Sequence, residues 1–139
     1  MHQICRSVVG PVLGLAFAAI GYLHFASPEG FNAIVPAYLG VPWFWTYASG
    51  VLEIAFGLGM AIPSVRPIAA RLMTFLVLLM SLANVNMWMN DIEFNGRLLS
   101  PTGHFVRMLI QIILLIVLLW LGEVIPRRNR QDARTQQGQ

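Results

Sequence analysis

Among the 139 residues of this sequence, Glu53 is the one best suited to chemistry, because it places a carboxyl group inside an apolar run, residues 43–62. A charged side chain at the centre of a bilayer costs roughly 2.5–3.5 kcal/mol on insertion scales. Glu53 must therefore be protonated, paired or hydrated. Ser49, Glu53 and Gly57 recur every fourth residue and share one helical face. His24 closes an earlier apolar run, and Asn84 lies near the end of a third. Arg107 and Gln111 open a fourth, one turn apart, with Gln111 roughly 10 Å deeper than His104 at 1.5 Å per residue. If these runs bundle, His24, Asn84, Arg107 and Gln111 share a depth and Glu53 lies just below them. The expectation is one polar cluster shaping a pocket. Its expected ion pair is Glu53 with Arg107, since pairing removes an isolated charge from a low-dielectric interior.

The same side chains also fit a structural role, because buried Asn, Gln, Ser and Thr hold membrane helices together. A packed or hydrated boundary histidine accounts for His24 as well as a ligand does. His24 and His104 on separate helices form a low-specificity pattern for a haem or metal pair, and no metal is assigned. Met73, Met80, Met87 and Met89 read as core or lipid-facing filler. The sequence contains no phosphate loop, no HExxH, no nucleophile elbow and no metal-spaced Cys/His cluster. Cys5 is the single cysteine and cannot run an internal dithiol cycle.

The elements that must position these residues are helices in a membrane. Hydrophobic residues make up 57% of the chain and charged ones only 11%, where soluble domains carry about 25% charge. The mean hydropathy is +0.66. These values argue against a soluble enzyme, a disordered chain and a disulfide scaffold. Four apolar runs, 5–25, 43–62, 67–88 and 105–125, each approach the ~20 residues that cross a bilayer as a helix. They show no period-two alternation of a barrel strand. The fold class expected is all-α, a four-transmembrane-helix bundle over residues 1–126. A basic polar tail, 127–139, reads as disordered.

Arginine placement sets the expected orientation. All nine basic residues are arginine, and Arg6, Arg66, Arg71, Arg127, Arg128, Arg130 and Arg134 fall on one side of the four runs. The positive-inside rule puts that side, and both termini, in the cytoplasm. Scattered arginines at hydrophobic boundaries do not form a nucleic-acid footprint. Tyr22, Tyr38, Trp43, Trp45, Tyr47 and Trp88 map to the opposite boundary, as an interfacial aromatic belt, and Trp120 to the arginine side. Run 5–25 also has the early arginine and apolar core of a cleaved leader, but it is long and no small-x-small site follows before Pro28.

Between the first two runs, Ser27 is placed as an N-cap, Pro28 at the first helical position and Glu29 in the first turn. A short interfacial helix is expected there, against an irregular loop with buried aromatics. Residues 90–103 read as a polar, turn-rich loop. Gly10, Gly14, Phe17, Gly21 and His24 share one face of the first run, and Gly50 and Gly57 flank Glu53. These glycines are expected to let helices pack closely.

Several local motifs together resemble a known family. They are Gly21-Tyr22-Leu23-His24-Phe25, then Val35-Pro36, then Ser49-Gly50-Val51-Leu52-Glu53-Ile54, then Ala83-Asn84-Val85-Asn86-Met87, and finally Arg107 with Gln111. In order and spacing, over about residues 8–122, the set resembles the DoxX-like family of small bacterial four-helix membrane proteins. The resemblance implies an accessory or membrane subunit of a quinone-linked redox system. The wider group includes a subunit associated with thiosulfate:quinone oxidoreductase. This chain lacks the paired cysteines of some redox relatives. Quinone is then the implied ligand, and redox subunits, membrane lipids or a second copy the implied partners. A small-molecule or proton transporter and a ligand-free assembly partner are the alternatives left by the residues themselves.

Overall fold

The computed structural model describes residues 2–124, and the tail 127–139 lies outside the described residues. Among the described residues the regular elements are all helices, with no strand. Four long helices, α1 (His2–Ala26), α3 (Pro42–Ala61), α4 (Arg66–Met89) and α5 (Pro101–Leu121), are joined by a short helix α2 (Pro28–Ile34) with a 3₁₀ turn (Ala37–Leu39), by a tight turn at 62–65 and by an eleven-residue connection at 90–100.

Local chemistry sets the helix ends. α2 stops at Ile34 because Val35 precedes Pro36 and is extended, with φ −65° and ψ 127°. α3 stops in the same way, with Ile62 extended before Pro63. Its last carbonyls, Met60 O and Ala61 O, accept from Arg66 Nε at 2.8 Å and Nη2 at 3.5 Å. α5 begins four residues earlier than the apolar run implies, because Ser100 Oγ accepts from Gly103 N at 3.2 Å and Pro101 takes the first turn. It ends at Leu121, where Glu123 adopts φ 57°. Ser27 departs from its expected role. Its side chain makes no cap bond, and its amide donates to Leu23 O at 2.9 Å, prolonging α1.

The long helices pack antiparallel in the order α1, α3, α4, α5. α1 and α3 meet most closely. A Cβ on Gly14 would strike Gly57 O, and one on Gly21 would stand 2.7 Å from Gly50 O. Such backbone-to-backbone approach is open only to glycine. The described buried positions of α1 are Gly10, Gly14, Phe17, Gly21 and His24, and those of α3 are Thr46, Gly50, Glu53, Gly57 and Met60. Ala69, Ala70, Met73, Leu76 and Val77 from α4 and Leu118 and Leu121 from α5 complete the apolar core. Met73 and Met87 are fully buried, whereas Met89 is exposed.

The outward-facing surface is strongly apolar. Val8, Val12 and Leu15 on α1, and Phe105, Leu109, Ile110, Ile113 and Ile116 on α5, are all exposed. α1, α4 and α5 are long and apolar enough to cross a membrane. α3 has 20 residues, but Trp43, Trp45, Thr46, Tyr47 and Glu53 lower its hydropathy. An exposed apolar surface of this extent marks a membrane-protein-like helical fold.

Candidate functional site

The polar residues gather toward the end of the molecule that carries His24, but in two clusters rather than one. The first is built by α1 and α3. Gly50 lets His24 lie against α3, since a Cβ there would stand 2.8 Å from His24 Cβ. Gly21 does the same one turn deeper, where its Cβ would stand 3.0 Å from Glu53 Cβ. His24 is 2% exposed and Glu53 1%. His24 Nδ1 lies 3.0 Å from Ile20 O. A carbonyl only accepts, so Nδ1 carries the proton and the lone pair of the neutral ring is at Nε2. Glu53 Oε2 lies 3.6 Å from the same Nδ1, beyond hydrogen-bond reach, and is buried with no hydrogen-bond partner. The His24 ring stacks on Phe31 of α2, with centroids 3.8 Å apart.

The second cluster joins α4 to α5. Gln111 Oε1 accepts from Asn84 Nδ2, while Gln111 Nε2 donates to Ser81 Oγ and, at 3.3 Å, to Val77 O. Arg107 Nε donates to Asn84 Oδ1 at 3.0 Å, and its Nη1 lies 3.3 Å from Met87 Sδ. Arg107 Cζ also sits 5.5 Å from the centre of the Phe94 ring. The amides of Asn84 and Gln111 are thus engaged on both their oxygen and nitrogen atoms.

The expected Glu53–Arg107 ion pair is therefore corrected. Arg107 is held by Asn84, Met87 and Phe94, while the nearest ionisable neighbour of Glu53 is His24. Two rings link the clusters: Phe94 packs edge-on against Phe31 at 5.2 Å, and Phe31 carries His24. Ser49 does not join either cluster through a hydrogen bond, since its Oγ donates to Thr46 O at 3.0 Å. His104 is buried and lies parallel to Trp88 at 5.9 Å, on α5 rather than with His24. Among the described residues no group of three His, Cys, Asp or Glu side chains is placed to hold a metal ion.

The sequence reading missed the element that carries Phe94. Phe94 N donates to Arg97 O at 3.0 Å and Arg97 N to Phe94 O at 3.2 Å. Between them Asn95 and Gly96 have φ 52° and 72°, a two-residue hairpin turn of the type that favours Asn-Gly. That dipeptide was the available signal. The turn packs on α2, where a Cβ on Gly30 would strike Asn95 Oδ1. Asn86 Nδ2 donates to Ile34 O at 3.0 Å and ties α4 to the same short helix.

The opposite end is organised by arginine. Arg6 Nη1 pairs with Glu123 Oε1 at 2.6 Å, and its Nη2 donates to Trp120 O at 2.7 Å. Arg71 Nε donates to Gly122 O at 2.7 Å. With Arg66 on the end of α3, three arginines satisfy carbonyls left open at helix C-termini. A groove of about 310 Å³ opens between α1 and α5, lined by Val8, Val9, Val12, Leu13, Ala16, Leu114 and Val117. It is not the polar pocket expected over Glu53.

A family described as a domain of unknown function (DUF8561) matches residues 13–122, and the chain belongs to that family. No curated protein and no solved structure matches the chain.

Proposed function

We propose that this member of a family without assigned function is a four-span protein of the bacterial cytoplasmic membrane, with both termini in the cytoplasm. In this reading α3 is the fourth span, and the Glu53–His24 pair in the outer half receives the polar head of a quinone, within an accessory subunit of a redox system. The observation that carries the reading is Glu53 Oε2, buried without a partner beside a histidine. A protonated carboxyl group there is a donor for a carbonyl oxygen, and the Nε2 lone pair of His24 can accept from a hydroxyl of the reduced, quinol form. The resemblance to DoxX-like proteins supports the same class. In the Asn84–Gln111–Arg107 cluster, by contrast, both amides are bonded on oxygen and nitrogen, with Ser81 and Val77 O as further partners, and the cluster serves as helix glue.

The test is purification in mild detergent, with mass spectrometry of extracted lipids and thermal denaturation with added short-chain benzoquinone and naphthoquinone. Co-purifying quinone and a raised unfolding temperature are expected, both lost in Glu53→Leu, which removes the donor. Wild-type protein that retains no quinone and shows no shift overturns the reading. A second reading, proton or small-molecule movement, draws on the same uncompensated carboxyl group. Flux in proteoliposomes that is abolished by Glu53→Gln, without quinone binding, favours it instead.

A further inference from the structure

We infer that the groove between α1 and α5 is a binding site for one acyl chain of an anionic phospholipid, whose phosphate lies at the arginine end. The groove runs along Val8, Val12 and Ala16, one helical turn apart. That stretch spans roughly 12 Å at 1.5 Å per residue. Its wall on α5 is Leu114 and Val117, so the lining side chains offer hydrocarbon and no hydrogen-bonding group. A polar ligand gains nothing there, whereas an alkyl chain does.

Charge identifies the head group. Just beyond the groove, Arg6 lies on α1 and Trp120 on α5, with the guanidinium carbon 5.0 Å from the indole centre. Arg6, Arg66 and Arg71 stand at this end, and Glu123 is the acid paired with Arg6. Arg6 Nε is buried without a hydrogen-bond partner. Basic residues near a membrane surface attract anionic lipid, and a phosphate suits an arginine-rich rim. A neutral isoprenoid quinone has no use for that charge. The inference shares with the proposed function only the placement of the chain in a bilayer, and it does not involve Glu53.

The experiment is native mass spectrometry of the full chain, titrated with dioleoyl phosphatidylglycerol or dioleoyl phosphatidylcholine. Retention of one phosphatidylglycerol at about fivefold lower concentration than phosphatidylcholine is expected, the factor that one nearby arginine supplies. Val12 is 64% exposed, so Val12→Trp fills the groove without entering the core. It is expected to remove the bound lipid while leaving the unfolding temperature in detergent unchanged. Arg6→Gln is expected to erase the preference between head groups and keep acyl-chain binding. Equal retention of the two lipids overturns the inference, as does lipid binding unaffected by Val12→Trp. A dimer that Val12→Trp dissociates also overturns it, and assigns the groove to a second copy. Glu53→Leu leaves lipid retention unchanged, which separates this test from that of the quinone site.

Discussion

Replacing Gly57 with alanine tests whether the α1–α3 contact is as close as the backbone indicates. A Cβ at this position would stand 2.5 Å from Gly14 O and 3.0 Å from Ala18 N, where ordinary contact begins at 3.4 Å. Both are backbone atoms of α1, so no side chain can swing aside. The helices must part locally by about 0.9 Å. A radial gap of 0.5–1 Å forfeits roughly a quarter to a half of each van der Waals well it opens. The expected cost is about 1–3 kcal/mol, the usual range for overpacking. Gly14→Ala should cost a similar amount, and the double variant less than the sum, since both open one gap. The assay is reversible unfolding in mixed micelles of mild detergent and dodecyl sulfate. Gly103→Ala is the control, because its Cβ would meet Leu99 side-chain atoms, the nearest at 3.2 Å. That change should be neutral or slightly stabilising, given the poor helix propensity of glycine. A Gly57→Ala variant as stable as wild type, within about 0.5 kcal/mol, would refute the close-contact argument.

Three other outcomes are expected. Gln111→Leu should destabilise by about 0.6–1.7 kcal/mol, the range for interhelical hydrogen bonds in membranes, and a double-mutant cycle with Asn84→Ala should show coupling. Uncoupled losses would deny the Asn84–Gln111 bond. Gly96→Val should cost about 1–2 kcal/mol by forcing a branched residue into the left-handed region, and should speed hydrogen exchange at the Phe94 and Arg97 amides. Unchanged exchange there would count against the hairpin turn. For topology, Cys5 should react with an impermeant thiol reagent only in inverted vesicles, and a Cys5→Ser, Asp91→Cys variant only in right-side-out ones. The opposite pattern would reverse the proposed orientation.

Much of the helical architecture could be read from the sequence because apolar runs, prolines and glycines act locally. Gly10, Gly14, Phe17, Gly21 and His24 recur at helical spacing and form the buried face of α1. The start of α5 was harder, because Ser100 and Pro101 sit in a polar stretch that hydropathy alone assigns to a loop. The partner of Glu53 was not legible. Depth along a helix follows from 1.5 Å per residue, but rotation about the bundle axis decides which polar groups meet. Charge complementarity favoured Arg107, whereas geometry puts Glu53 on the α1–α3 contact and Arg107 on the α4–α5 contact.

That separation bears on what the site can do. An arginine bonded to Glu53 would fix it as an ion pair, and the pair would then be mainly a structural element. Arg107 instead donates from Nε to Asn84 and from Nη1 to Met87, with Phe94 against its face. Glu53 is left beside His24, whose Nδ1 is already committed to Ile20 O. The carboxyl group can therefore exchange a proton or accept a hydrogen-bonding ligand without breaking an existing ion pair. Phe31 and Phe94 stand between the two clusters, with Phe31 stacked on His24 and Phe94 edge-on to Phe31. If the proposed quinone reaches Glu53 past these rings, Phe94→Ala should speed its binding while leaving the Asn84–Gln111 contact intact. Stopped-flow quenching of tryptophan fluorescence by the added quinone measures that rate, and an unchanged rate would place the entry route elsewhere.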